Sequence, residues 1–330
     1  MDIIYFLTAN SKLFPNHYGI ILHMHVVSID QFTPKDLFDL FERTKKIEDT
    51  FYSKGGMLEL AKKHRDKQIC TLFYEPSTRT RLSFETAGYK LGFGVVSTES
   101  AGEFSSASKG ETIEDTIRVL DEYKFSAIII RHPETGIVGR AAKVAKTPII
   151  NAGDGKGEHP TQSLLDTYTI FFNFKRLDNL TITIGGDLKH GRTARSLAKI
   201  MAKFDNNHIK FVSTKSLAVD QDIKDFLKEN NTTYEEITDI EQGVADSDVI
   251  YWTRLQKERL EEHEKGLAGG FIISKDTLKF MKKDAIIMHP LPRVDEISTD
   301  VDSDSRVRYF DQAGNGLFVR MALLDQLASK

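Results

Sequence analysis

Glu75-Pro76-Ser77-Thr78-Arg79-Thr80-Arg81-Leu82-Ser83-Phe84-Glu85 follows an apolar run, Ile69 to Phe73, that reads as a buried strand. Pro76 stops that strand, and Ser77 stands where a helix N-cap belongs. Leu82, Phe84, Ala87 and Leu91 continue at helical spacing and are candidate core contacts. The segment is therefore strand, turn, helix N-terminus. Free backbone N–H groups and the positive end of the helix dipole face one spot. Hydroxyls of Ser77, Thr78 and Thr80 and the guanidinium groups of Arg79 and Arg81 lie around it. This is the chemistry of a site for a tetrahedral oxyanion such as phosphate. Taken alone, the stretch also fits a capped surface helix with two solvated arginines.

Bulk properties narrow the rest. The chain has 330 residues, enough for about two domains. Lys and Arg total 45 against 48 Asp and Glu, a net charge of −3, so no overall basic field recruits nucleic acid or a membrane surface. An anionic ligand must be held by local arginine clusters. The one cysteine, Cys70, excludes an internal disulfide and a cysteine metal cage, and its apolar strand makes it a packed thiol. Near the N-terminus, Ile3 to Ala9 is apolar but too short to span a bilayer. Asp2 stands where a signal peptide carries positive charge, and no arginine precedes Arg43. Residues 1–25 read as an irregular extension of unknown role, with Met24 a second candidate start, on a soluble, cytoplasmic chain.

Onward from Val26 the pattern is regular. Thr33-Pro34 opens a helix carrying Leu37, Leu40, Phe41 and Ile47, and Leu58 to His64 reads as a second helical piece after Gly55-Gly56. Gly92 to Val96 reads as a turn into a short strand, and Thr112 and Asp115 open a helix bearing Ile117. Between them Ser105 to Gly110 is small, polar and glycine-bearing, a mobile loop in which Lys109 is by default a solvated lysine. Ala127 to Ile130 and Pro148 to Ile150 read as buried strands ending in Arg131 and in Asn151-Ala152-Gly153-Asp154-Gly155. His159-Pro160-Thr161-Gln162 opens a helix over 161–174. Strand ends followed by polar loops are where open parallel sheets place ligands.

A new βα unit starts near Leu180, with Thr181 to Ile184 an alternating strand and Ala194 to Phe204 a helix. Its turn lacks the G-x-G-x-x-G spacing of dinucleotide sites, which disfavours a nucleotide-dependent oxidoreductase. It carries Arg192 at the helix entrance instead. Strands over 209–212 and 249–251 flank a helix near 223–227, and the second runs into Trp252-Thr253-Arg254-Leu255-Gln256. A strand over 285–288 precedes His289-Pro290-Leu291-Pro292-Arg293, where the prolines stiffen the backbone around the Leu291 carbonyl. Asn315-Gly316 precedes a closing helix, Leu317 to Ala328. The chain is thus predicted as α/β: two domains, each a parallel sheet flanked by helices, with the active site in the interdomain cleft. The expected divisions are 1–25, 26–160, a linking helix at 161–176, 177–312, and a C-terminal helix at 313–330 packing back toward the N-terminal domain.

Arg192 and Arg254 in the second half suit a dicarboxylate. No Ser-His-Asp order, activated cysteine or metal-ligand spacing appears, so no covalent intermediate and no metal is expected. Direct attack of an amine on a carbonyl remains, with Thr80, Arg131 and His159 as candidate oxyanion donors.

Ser77-Thr78-Arg79-Thr80-Arg81 and His159-Pro160-Thr161-Gln162 resemble the signatures of the aspartate and ornithine carbamoyltransferase family. The resemblance runs from about Val26 onward. It implies that Ser77, Thr78, Arg79, Thr80, Arg131, His159 and Gln162 handle carbamoyl phosphate, with the carbonyls of Leu291 and Pro292 on the carbamoyl amine. Arg192, Arg254 and Gln256 would bind the second substrate. Ser105 and Lys109 would reach into a neighbouring subunit's site, Lys109 touching both substrates, so a homotrimer with shared sites is implied. Ornithine enzymes carry a cysteine where Pro290 stands here, so the aspartate branch is favoured. Arg192 and Arg254 would also repel a cationic amine such as ornithine. The implied reaction gives N-carbamoyl-L-aspartate and phosphate, an early step of pyrimidine synthesis, without a cofactor. A non-catalytic homologue that binds a partner chain would have lost a phosphate or oxyanion residue, and none is missing. Docking of a separate regulatory chain stays open.

Overall fold

A computed structural model describes residues 25–104, 110–254 and 271–329. Two parallel sheets form its frame. The first contains β1 (Gln68–Phe73), β2 (Gly94–Thr98), β3 (Ala127–His132) and β4 (Ile149–Asp154) in the order β2-β1-β3-β4. The second contains β5 (Thr181–Gly185), β6 (His208–Val212), β7 (Thr233–Ile237), β8 (Val249–Trp252) and β9 (Ile286–Met288) in the order β7-β6-β5-β8-β9. The main helices are α1 (Pro34–Tyr52), α2 (Thr78–Lys90), α3 (Ile113–Glu122), α4 (Ile137–Val144), α5 (Pro160–Phe174), α6 (Arg192–Met201), α7 (Gln221–Glu229) and α8 (Tyr309–Ala328).

Local chemistry accounts for most of these bounds. Thr33 caps α1 in a capping box with Asp36, with Pro34 at the first turn, and the helix buries Leu37, Leu40, Phe41, Thr44 and Ile47. Thr112 caps α3 by accepting from the Asp115 backbone N–H. The strands β1, β3 and β4 are buried nearly throughout, as a parallel sheet covered on both faces requires.

Several expectations change. The closing helix starts at Tyr309, so Asn315-Gly316 lies inside it rather than before it. Gly316 serves a close helix crossing there. A Cβ would sit 2.7 Å from an Arg320 nitrogen and 2.9 Å from Leu165 of α5. Leu82 is 48% exposed and is not a core contact, whereas Phe84, Ala87 and Leu91 are fully buried. The piece after Gly55-Gly56 is helical only over Gly56–Leu60. Asn151 to Asp154 belongs to β4 rather than to a following loop, and α6 ends at Met201, short of Phe204. The alternation in β5 does not mark a wet face: Thr183 is buried, donates to the Gly243 carbonyl at 2.6 Å and pairs with the Ser247 hydroxyl at 2.7 Å. The edge strand β7 escaped sequence reading because Thr-Tyr-Glu-Glu-Ile keeps charge on an exposed edge.

Helices α5 and α8 join the two sheets. From α8, Gln312 and Asn315 bond to α5, Arg320 donates to Ser83 of α2 at 3.0 Å, and Asp325 reaches α1 through Arg43 at 2.6 Å. The Asp325 carboxylate is buried and also meets Lys63 at 2.7 Å and His64 at 2.9 Å. Burial alone would raise its pKa. Hydrogen bonds from His64 and Lys63, with the Lys63 charge, outweigh it and hold the carboxyl far below the usual range. Asp325→Ala is expected to cost about 1–3 kcal/mol, read as a lower urea midpoint at unchanged slope. The unfolded carboxyl titrates near 3.9. The difference between wild type and variant should therefore be full above about pH 4 and fade as pH falls further.

Candidate active site

In each sheet the chain order reverses once, between β1 and β3 in the first and between β5 and β8 in the second. Crevices at the carboxyl ends of strands at such points are where open α/β sheets bind ligands. The Glu75–Thr80 turn follows β1, and Arg131 lies near the end of β3. Arg192 follows β5 and Arg254 follows β8. Both crevices open onto one cavity of about 960 Å³. Its walls include Thr78, Arg79, Thr80, Arg131, His159 and Gln162 from one side and Arg192, Arg254, Leu291 and Pro292 from the other.

Helix starts aim at this space. Thr78 and Arg79 open α2, Arg192 opens α6, and His159 is the N-cap of α5, with Pro160 at its first position. Each N-terminus presents unpaired backbone N–H groups and a positive dipole end. Ser77 occupies the N-cap position of α2, but its hydroxyl makes no cap hydrogen bond and it is not among the cavity-lining residues.

The two walls meet at Gly153. Its φ is +117°, a conformation that suits glycine, and a Cβ there would lie 3.1 Å from a guanidinium nitrogen of Arg131 and 3.1 Å from one of Arg192. Arg131 donates to Glu75 at 2.9 Å and to the Ala152 carbonyl at 3.3 Å. Arg192 donates to the Gly155 carbonyl at 2.7 Å. His159 is buried, with Nε2 3.4 Å from the Thr80 hydroxyl and Nδ1 3.4 Å from that of Thr161.

Among the described residues, six cationic side chains, Arg79, Arg131, Lys156, Arg192, Arg254 and Arg320, line the cavity against one carboxylate, Glu75. Such a wall concentrates anions. It also sets the histidine. Burial first, then the charges of Arg192, Arg131 and Arg320, push the His159 pKa well below its ordinary value. The imidazole is therefore neutral near pH 7 and carries one N–H for donation. Burial and the Arg131 charge likewise lower the Arg79 pKa. Cys70 is buried in β1 and its thiol is pushed up to about 12 by desolvation, which suits a packed thiol rather than a nucleophile.

The comparisons with known proteins bear on this constellation. Residues 24–171 match a model of the aspartate/ornithine carbamoyltransferase carbamoyl-P binding domain, and residues 178–327 match the Asp/Orn binding domain of the same family. The chain belongs to the aspartate/ornithine carbamoyltransferase family. It is 49% identical over 294 residues to a chloroplastic aspartate carbamoyltransferase of Arabidopsis thaliana, covering 88% of this chain and 73% of that protein. An aspartate carbamoyltransferase catalytic subunit of Thermoplasma volcanium is 44% identical over 301 residues, covering 91% and 96%. Among solved structures, the catalytic subunit of M. jannaschii aspartate transcarbamoylase superposes with a TM-score of 0.83 at 40% identity, over 93% of this chain and 98% of that one. Aspartate transcarbamoylase from Trypanosoma cruzi, in complex with carbamoyl aspartate and phosphate, gives 0.82 at 35% identity, over 92% and 94%.

Within this carbamoyltransferase fold, Thr80, Arg131 and His159 from one wall share a cavity with Arg192 and Arg254 from the other. Ser105, Lys109 and Gln256 lie outside the described residues. Sequence reading gave no role to several polar cavity residues, among them Lys156, Glu75, His190, Gln312 and Arg320. Glu75 was inside the quoted stretch but had no role. His190, which approaches Asp187 at 3.2 Å, lies in the turn where the sequence singled out only Arg192. Gln312 fell before the closing helix as read, and Arg320 sat inside that helix, where an arginine between Val319 and Met321 is itself a signal. Arg320 is buried over the Phe84 ring at 5.1 Å, and desolvation lowers its pKa to about 10. No described helix is long and apolar enough to cross a membrane.

Proposed function

We propose that the chain is an aspartate carbamoyltransferase, moving the carbamoyl group of carbamoyl phosphate to the α-amine of L-aspartate in pyrimidine biosynthesis. The observation that carries this reading is the single cavity shared by both switch points, with Arg131 and His159 on one wall and Arg192 and Arg254 on the other. Ser77, Thr78, Arg79 and Thr80 receive the phosphoryl group at the start of α2. Arg192, Arg254 and Gln256 take the aspartate carboxylates, for which paired guanidinium N–H donors are suited.

The neutral amine attacks the carbamoyl carbon. A C–N bond forms, charge develops on the carbonyl oxygen, and the C–O bond to phosphate then breaks. Thr80, Arg131 and neutral His159 donate to that oxygen, each such donor contributing on the order of 10²–10³ in rate. Gln162 and the carbonyls of Leu291 and Pro292 accept from the carbamoyl NH₂. The departing phosphate takes the amine proton, so no protein base is required. Holding both substrates in line supplies further rate through orientation.

Residues 26–160 and 177–312 form the two substrate lobes, with 161–176 linking them and 313–330 returning to the first. The assembly is a homotrimer in which Ser105 and Lys109 serve a neighbour's site. A cytoplasmic setting suits a chain whose one thiol is buried.

Incubation with carbamoyl phosphate and aspartate should give carbamoyl aspartate and phosphate in equal amounts. Product with ornithine but none with aspartate would overturn the reading. Mixing Lys109→Ala subunits with Arg79→Ala subunits should restore part of the activity, because some sites then draw both residues from unmutated chains. Mixed trimers that stay inactive would remove the shared site.

A further inference from the structure

One buried carboxylate adjoins the site without facing it. Asp166 lies one turn beyond Gln162 on α5 and is fully buried. It accepts from three separate segments. Gln162 Nε2 donates to Oδ1 at 2.9 Å, Gln312 Nε2 of α8 donates to Oδ1 at 2.6 Å, and the Tyr251 hydroxyl of β8 donates to Oδ2 at 2.8 Å. Its electrostatic partner is the buried Arg320 guanidinium.

Burial raises the Asp166 pKa to about 7, opposed by its three donors and by the Arg320 charge. The ionised form accepts and does not donate, so it decides which end of an amide turns toward it. Gln162 must give its NH₂ to Asp166, which leaves its Oε1 for the cavity that Gln162 lines. Gln312 is held the same way, and its Oε1 accepts from the His289 backbone N–H at 2.9 Å. His289 Nδ1 in turn accepts from the Leu291 N–H at 2.8 Å, and Nε2 meets Glu296 at 2.8 Å. One carboxylate thus orders two amides on opposite walls. Those amides govern the side-chain acceptor of Gln162 and the loop that carries the Leu291 and Pro292 carbonyls.

We propose that Asp166 is the positioning residue that builds the acceptor face for the carbamoyl NH₂, and so makes the site distinguish a carbamoyl from an acetyl group. This rests on the carbamoyl-transfer reading. Acetyl phosphate has the same phosphoryl group and carbonyl oxygen but a methyl in place of NH₂. Acceptors aimed at an amine reject the methyl because they lose their partners on binding it.

The test compares two ligands on one protein. Asp166→Ala removes the constraint on both amides. The KM for carbamoyl phosphate should rise about tenfold or more, while the inhibition constant of acetyl phosphate changes far less. Asp166→Asn keeps an oxygen for both glutamines and turns its NH₂ toward the Tyr251 oxygen, so it should restore most of the discrimination. Equal weakening of both ligands by Asp166→Ala, or no change in either, would overturn the proposal, since a merely structural residue harms both alike. Should Asp166→Ala fail to fold, Gln312→Met cuts the same chain one bond further on, with Asp166 still paired to Gln162 and Tyr251. It should show the same ligand-selective loss, and a non-selective one would count against the assignment. Wild-type protein that forms no carbamoyl aspartate would sink the underlying reading instead, so the two failures are distinguishable.

Discussion

Arg131→Ala is expected to lower kcat by about 10²–10³-fold, with a smaller rise in the KM for carbamoyl phosphate. The reason is where the charge appears. The carbonyl oxygen becomes anionic only as the amine adds, so a guanidinium aimed at it stabilises the transition state more than the bound substrate. Arg131 is 9% exposed, and water cannot readily take its place. Its loss leaves Glu75 without its 2.9 Å partner, but that side chain is 36% exposed and can be rehydrated. The fold should therefore survive, and an unchanged melting temperature alongside the kinetic loss is part of the expected result. Arg131→Lys keeps a charge but not the planar fork, and should recover only a fraction of the rate. A variant that raises KM alone, at full kcat, would show that Arg131 only binds phosphate.

Arg254→Ala is the second large effect, and it should fall on the other substrate. Truncating one member of a desolvated, hydrogen-bonded ion pair costs about 2–5 kcal/mol. The apparent KM for aspartate should then rise about 30-fold or more, at 1.36 kcal/mol per factor of ten. The KM for carbamoyl phosphate should move little, because Arg79, Thr80 and Arg131 sit on the opposite wall. Arg79→Ala should give the reverse pattern. Steady-state kinetics with each substrate varied in turn would separate the two. Equal shifts in both constants for both variants would contradict the division of labour between the lobes.

Much of this was legible before any coordinates. The turn after Phe73 carried three hydroxyls and two arginines in a short span, Arg131 and Arg192 stood near strand ends marked by proline or glycine, and Arg254 closely followed an apolar run. Apolar runs of this kind mark buried parallel strands whichever face they present. The failures have a common cause. Leu82 obeyed helical spacing, but spacing gives a face and not what covers it, and in the fold it borders the open cavity. Asn315-Gly316 was placed ahead of the closing helix because local preference cannot see Leu165 and Arg320 pressing on that glycine from α5 and α8. Gln312 and Asp166 were invisible for the same reason: they lie 146 positions apart, and only tertiary packing makes one the partner of the other.

The paired crossing of α5 and α8 has a mechanical outcome. Two stems side by side resist twist and shear far better than they resist bending. Both stems pass between the sheets, so a hinge rotation of one lobe against the other would have to bend the two together. Arg131 and Gly153 ride on one sheet and Arg192 follows a strand of the other, so such a swing would open or close the gap at Arg192 alone while Arg131 keeps its place beside Gly153.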